Sequence, residues 1–286
     1  MIKGRALLVL GRVSNLSTVW SNCFCAWLLA GGGSTAALAS LSIGMSLLYV
    51  GGMYLNDYCD AGFDAKHRPE RPIPAGDVGR KTVLLATLGQ FAAGFLLIAW
   101  LGGETAAWAL LLIGLIVAYN LVHKKTSLGV PLMGACRLAV YLVVGSAAAD
   151  GINEGVLWAS GLMFMYVVGI TSLARTESTS GSISLIGLAM VAAPLVGAIY
   201  LMTAHFEASA LVALAAVATW ILWTYMKAKA SGRLIVGKMI GPLLAGICLV
   251  DWLILSVQLS HSWVASGMFL AFFLVALIAQ RRIPAT

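Results

Sequence analysis

The chain has 286 residues, 60 % of them hydrophobic and only 10 % charged, with a formal net charge of +7. An ordinary soluble domain carries about 25 % charged residues, so the composition excludes a water-soluble fold, and the lipid bilayer rather than nucleic acid is the expected partner. Five scattered cysteines, Cys23, Cys25, Cys59, Cys136 and Cys248, fit neither a disulfide framework nor a zinc site and read as small buried side chains.

Lys3, Arg5 and Arg12 precede the first apolar run, as in a signal peptide, but no convincing small-residue cleavage site follows and a retained first helix is expected. Ten apolar stretches can be traced, at about 13–31, 35–56, 82–101, 105–122, 129–148, 156–174, 183–203, 208–226, 236–258 and 263–280. The cations test that count. Lys66, Arg68, Arg71, Arg80 and Lys81 follow the second stretch, Lys124 and Lys125 the fourth, and Arg175 the sixth. Lys227, Lys229, Arg233 and Lys238 follow the eighth, and Arg281 and Arg282 follow the last. The alternate loops contain no Lys or Arg, so both termini and the loop after the second stretch are expected on the cytoplasmic side. The longest polar interval, Asp57 to Lys81, is too short for a soluble domain, so residues 1–286 read as one transmembrane unit.

The most polar stretch is NDYCDAGFDAKHRPERPIPAG, from Asn56 to Gly76. At about 100° per residue, Asn56, Asp57, Asp60 and Asp64 fall within an arc of about 100° on a helix. Carboxylates crowded on one face repel unless a cation sits among them, and hard oxygen donors suit Mg²⁺. A solvated loop of self-neutralising charges would have the same composition. The order of residues is more specific: N-D-x-x-D-x-x-x-D followed by R-P-x-R-P-I-P-x-G resembles the first aspartate-rich motif of the UbiA superfamily of intramembrane prenyltransferases. Within it, the chain is most similar to the UbiA-like proteins of ebo gene clusters. The resemblance covers nearly the whole chain in helix order, and only this motif is strongly diagnostic.

The resemblance implies an all-α, polytopic bundle of nine to ten transmembrane helices around a central cavity. Nine spans would put Arg281 and Arg282 opposite the other cations, so ten fits this sequence better. It also implies a prenyl diphosphate held through Mg²⁺ by Asn56, Asp57, Asp60 and Asp64, with Arg68 and Arg71 close to the diphosphate. AYNLVHKKTSLG resembles the family's Y-N-x-x-x-K pattern, which makes Tyr119, Asn120 and Lys124 diphosphate-side residues and leaves His123 and Lys125 as membrane anchors. Asn15 and Asn22, seven residues apart, share a face that either lines a cavity or makes interhelical hydrogen bonds.

Arg137 lies about 12 Å inside the fifth stretch, where a cation costs about 2.5–3.5 kcal/mol unless it faces protein or water. It is expected to pair with a motif aspartate or to contact substrate. Asp251, deep in the ninth stretch, invites the same argument without a motif to support it. The second site departs from the family: GITSLARTESTSG, Gly169 to Gly181, has no aspartate; Glu177, its one carboxylate, is expected to face the Mg²⁺ held by the first motif, and Arg175 to replace one metal's charge at the diphosphate. The expected activity is transfer of an isoprenyl group from a prenyl diphosphate to an apolar acceptor, with Asp57, Asp60, Asp64, Lys124 and Arg137 as the catalytic set. The alternative is a non-catalytic relative that binds or exports a lipid-like metabolite, as the degenerate second motif and the ebo resemblance suggest. The location expected is a bacterial inner membrane.

Overall fold

The computed structural model describes residues 4–179, 184–203, 207–229 and 235–283, with the side chains of 176–179 left aside. Twelve α-helices and no strand occur among them. They are α1 (Gly4–Leu10), α2 (Leu16–Leu29), α3 (Thr35–His67), α4 (Arg80–Ala99), α5 (Gly103–Val122) and α6 (Gly129–Ser146), followed by α7 (Glu154–Thr179), α8 (Leu185–Met202), α9 (Ala208–Lys229), α10 (Gly237–Ala245), α11 (Ile247–Gln258) and α12 (Trp263–Gln280). Eight of these are long and apolar enough to cross a membrane, nine if the bent pair α10–α11 is one span. The chain is therefore a multi-pass membrane protein.

The remaining expected span is α2, which has only 14 residues. That is about 21 Å against a hydrocarbon thickness of about 30 Å. Its shortness begins at Arg12, whose left-handed backbone (φ 42°) breaks the helical path before a single 3-10 turn, Val13–Asn15, leads into α2. α2 makes up for its length by position, because it packs against α3, α6, α11 and α12. Ser17, Thr18, Ser21 and Asn22 are all buried on it. In a bilayer such groups survive only where other protein groups surround them.

Burial separates an inner set of helices from an outer one. In the most apolar windows of α3, α6 and α7, 44 %, 50 % and 56 % of residues are buried, against 22–28 % in α4, α5, α8, α9 and α12. The outer helices turn Leu85, Leu96, Leu110, Ile199, Leu222 and Leu274 outward, as lipid contact requires. Ser34, Ser184 and Ser262 cap α3, α8 and α12, each hydroxyl accepting from the backbone N–H three residues on.

The apolar run 236–258 is continuous in sequence but bends by 43° between α10 and α11. Pro242 cannot donate to the ladder, and Gly246 lets a neighbouring side chain come close: a Cβ there would lie 2.8 Å from the Tyr166 hydroxyl. Carbonyls beside the bend are still satisfied. Trp220 Nε1 donates to Pro242 O at 2.9 Å and Tyr166 Oη to Leu243 O at 2.9 Å.

Candidate functional site

α3 does not stop where its apolar run ends. It continues to His67, 33 residues in all, so the aspartates stand on helix rather than loop. Asn56, Asp57 and Asp64 are buried, 5 %, 4 % and 2 % exposed, despite their polarity. Each carboxylate meets a different environment. Asp57 Oδ1 is 3.0 Å from Arg71 Nη1 and 3.7 Å from Arg12 Nη2. The turn after α3 brings Arg71 back, with Arg71 N donating to Arg68 O and Ala75 N to Arg71 O. Asp60 Oδ2 is 2.9 Å from Lys124 Nζ and 3.4 Å from His123 Nε2. Asp64 Oδ1 is buried with no hydrogen-bond partner.

Asn56 ties the motif to the neighbouring helices. Its Oδ1 accepts from Arg12 Nη2 at 3.2 Å and its Nδ2 donates to Asn120 Oδ1 at 3.0 Å. Asn120 in turn donates to Ile116 O at 2.9 Å. Below this rim lies a cavity of about 250 Å³, walled by α2, α3, α5, α6, α7 and the α10–α11 pair. Met45, Leu48, Ile116, Val140, Ile170 and Ile247 make most of it apolar, while Arg12, Asn15, Tyr119, Asn120 and Arg137 supply its polar groups. Gly52 and Met53, one turn before Asn56 and Asp57, line it too, so the motif stands at its edge.

Tyr119 stacks on His123, with ring centroids 4.9 Å apart. Lys124 also lies over the Phe63 ring at 3.9 Å. His123, read from sequence as an anchor, is thus a partner of Asp60; its place one residue before Lys124 gave no signal of that. Lys125 and Arg68 are exposed.

Of the two roles expected for Arg137, pairing with a motif aspartate is not the one found: Nη1 donates to Asn22 Oδ1 at 2.6 Å and Nη2 to Thr18 Oγ1 at 2.9 Å. Of the asparagines expected to share a face, Asn15 lines the cavity, whereas Asn22 bonds to Tyr141 and Asp251 behind the wall. Arg175 donates to Thr126 O at 2.5 Å and His123 O at 3.3 Å. Glu177 is on α7, but its side chain lies outside the described residues.

Among the described residues no three acidic, histidine or cysteine side chains converge on one ion position, and Asp57 and Asp60 each pair with a different cation. The donor set still suits a hard divalent cation. Three carboxylates share a helix face, and the buried Asp64 Oδ1 has no donor to satisfy it.

Known proteins extend the picture. The chain is similar to the digeranylgeranylglyceryl phosphate synthase of Ignicoccus hospitalis, 35 % identical over 175 residues, which are 60 % of this chain and 57 % of that protein. The enzyme of the same name from Methanopyrus kandleri is 29 % identical over 171 residues, 60 % of this chain and 61 % of that protein. The match thus spans less than two thirds of the length of either relative. The fold is similar to the apo structure of a UbiA homologue from Aeropyrum pernix K1, with a TM-score of 0.68 and 20 % identity over 82 % of this chain and 94 % of that one. A structure concerned with digeranylgeranylglyceryl phosphate synthase in membranes gives a TM-score of 0.61 and 17 % identity over 97 % of this chain and 100 % of that one. Residues 17–179, more than half the chain and holding α3 with its aspartates, match the family description "UbiA prenyltransferase family". The chain belongs to the UbiA prenyltransferase family.

Proposed function

We propose that the protein is a Mg²⁺-dependent membrane prenyltransferase that moves an isoprenyl group from a prenyl diphosphate to an apolar acceptor. The observation that carries this reading is a rim of three aspartates and four basic groups standing at the edge of an apolar cavity. Asp57, Asp60 and Asp64, with the Asn56 amide oxygen, are the residues that would hold Mg²⁺, and Glu177 is the carboxylate nearest in role on α7. Bound there, Mg²⁺ supplies positive charge against the leaving diphosphate. Arg12, Arg71, Lys124 and His123, which neutralise the aspartates in this structure, are placed to transfer that charge to phosphate oxygens. The C–O bond of the donor breaks, the diphosphate leaves with the electron pair, the allylic cation forms a bond to the acceptor, and the proton the acceptor gives up is taken by the departing diphosphate. The apolar walls keep water from that cation. Tyr119, Asn120 and Arg137 present polar groups on the same cavity and orient what it holds.

The names of the relatives make geranylgeranyl diphosphate a sensible probe. Titrated calorimetrically into the full-length protein, it is expected to bind far more tightly with Mg²⁺ than without. Asp60→Asn, which conserves volume and removes charge, should abolish that synergy, and Glu177→Gln should weaken it less. Binding indifferent to Mg²⁺ in the wild type, together with an unaffected Asp60→Asn, would refute the metal-dependent reading.

The second reading is a relative of the EboC proteins of ebo clusters that binds or exports a lipid-like metabolite without chemistry. It is favoured by one observation, that α7 carries Arg175 on backbone carbonyls where its family carries a second aspartate-rich motif. Diphosphate release from the donor separates the two readings. In either case the aspartates and both termini are assigned to the cytoplasmic face of a bacterial inner membrane. Cysteines placed at Arg281 and Glu104 should then be labelled from opposite faces by an impermeant maleimide. Labelling of both from one face would overturn the orientation.

A further inference from the structure

Behind the cavity wall lies a cluster that the transfer reaction does not use directly. Asp251, on α11, is completely buried. Its side chain is surrounded by donors: the Ser21 and Tyr141 hydroxyls, and Asn22 Nδ2 at 2.9 and 3.1 Å from its two oxygens. Neither Asp251, Ser21, Asn22 nor Tyr141 is on the cavity surface, whereas Arg137 is. The carboxylate therefore meets a ligand only through another residue.

Asn22 is that residue. An amide has one donating and one accepting end. With the Asn22 amino group held by Asp251, its oxygen is turned toward Arg137 and accepts from Nη1 at 2.6 Å. Thr18 takes the second nitrogen at 2.9 Å, and the Tyr49 ring lies 5.9 Å from the guanidinium carbon. Among the described residues no carboxylate lies within salt-bridge distance of Arg137. Its place in the wall thus depends on two neutral acceptors, one of which has its polarity set from behind.

We infer that Asp251 is a positioning residue: acting through Asn22, its carboxylate fixes the Arg137 guanidinium in the cavity wall, in the orientation that meets substrate. The last clause rests on the reading of the cavity as the substrate chamber. An asparagine at position 251 would bring an N–H into a site already filled with donors. The simplest relief is inversion of Asn22, which would turn its own amino group on Arg137 and release it. Exchange of the two residues restores the link from position 251 through position 22 to Arg137, and gives up only the Asn22 Nδ2 donation to Tyr141 Oη. The amide now at position 251 would donate to the carboxylate now at position 22, and that carboxylate would accept from Arg137. Ser21 and Tyr141 would donate to the oxygen of the same amide.

The test uses full-length protein in detergent, with phenylglyoxal modification of Arg137 followed by peptide mass spectrometry. Calorimetric binding of geranylgeranyl diphosphate with Mg²⁺ is the second readout. Asp251→Asn should modify several-fold faster at Arg137 and bind about tenfold more weakly. Asn22→Ala, which cuts the link and leaves Asp251 in place, should match it in both. The double variant, Asn22→Asp with Asp251→Asn, should return both readouts to within about twofold of wild type. Addition of Asp251→Asn to Arg137→Met should cost no further affinity, since the carboxylate acts through the arginine. Unchanged Arg137 reactivity in Asp251→Asn and Asn22→Ala overturns the inference. So does a folded exchange variant that recovers neither readout, or affinity losses that multiply in the Arg137→Met background. If wild type does not bind the diphosphate, the prenyltransferase reading falls, and the modification rates alone decide the role of Asp251.

Discussion

The ends of α3 and α7 reach the same turn, residues 123–126, and treat it in opposite ways. α3 offers it a carboxylate, Asp60, which takes the Lys124 ammonium and the His123 ring. α7 offers it a cation, Arg175, which takes the carbonyls of His123 and Thr126. One end acts on the side chains of the turn and the other on its backbone. Among the described residues the carboxylate that meets the side chains of this turn comes from α3, whereas the arginine of α7 donates to the backbone of the turn that carries Lys124. A family member lacking aspartates on α7 need not have an unsupported rim there.

That contrast can be broken in order of expected effect. On the proposed function, Lys124→Met removes a charge that would meet the diphosphate, and should weaken geranylgeranyl diphosphate binding by about tenfold or more, as for a charge-assisted hydrogen bond. Arg175→Met should act indirectly, by loosening the turn, and cost only a few-fold. Added to Lys124→Met, it should cost little more. Calorimetry of the two single variants and the double checks both claims; an Arg175→Met loss larger than that of Lys124→Met would make the arginine a direct ligand group.

A smaller effect separates how the two helices are packed. A Cβ at Gly169 on α7 would lie 2.6 Å from Val191 N and 2.8 Å from Gly187 O, backbone atoms of α8 that cannot move aside. Gly169→Ala should therefore destabilise by about 1–3 kcal/mol. Gly62, among the aspartates of α3, has nothing within 4 Å of such a Cβ. Gly62→Ala should be neutral or stabilising by roughly 0.5–1 kcal/mol, the helical preference for alanine. Thermal unfolding of both variants reads the difference, and equal shifts would show that the α3 end is packed as closely as α7.

Much of this architecture is legible in the sequence, because lipid imposes long apolar runs and Lys and Arg mark their ends. The aspartate spacing also shows through, since residues at i, i+3 and i+7 share a helix face whatever surrounds them. What stays hidden is set by tertiary partners. The shortness of α2 depends on the backbone of Arg12, and no apolar count contains a left-handed φ. The bend before α11 had two signals, Pro242 and Gly246, inside a run that is otherwise uniformly greasy. Arg137 and Asp251 were each visible as expensive intramembrane charges, but their link runs through Asn22, more than a hundred residues from either. Thr18, Ser21 and Tyr141 are ordinary residues in apolar stretches, and only contact makes them a network.

The length of α3 has a consequence for how a charged amphiphile reaches the cavity. Its 33 residues extend about 50 Å, and at tilts up to about 40° they still overhang a 30 Å hydrocarbon layer by roughly 8–20 Å. The overhanging part is the polar one, from Asp57 to His67. On the proposed function, a donor whose tail already dissolves in one leaflet would keep its diphosphate at headgroup height throughout, sliding sideways along the interface until the tail drops into the cavity beneath. The several kcal/mol that hydrocarbon exacts from an unpaired anion never arise. Capture of such a donor would then be a two-dimensional search within one leaflet, limited by lateral diffusion rather than by flipping across the membrane.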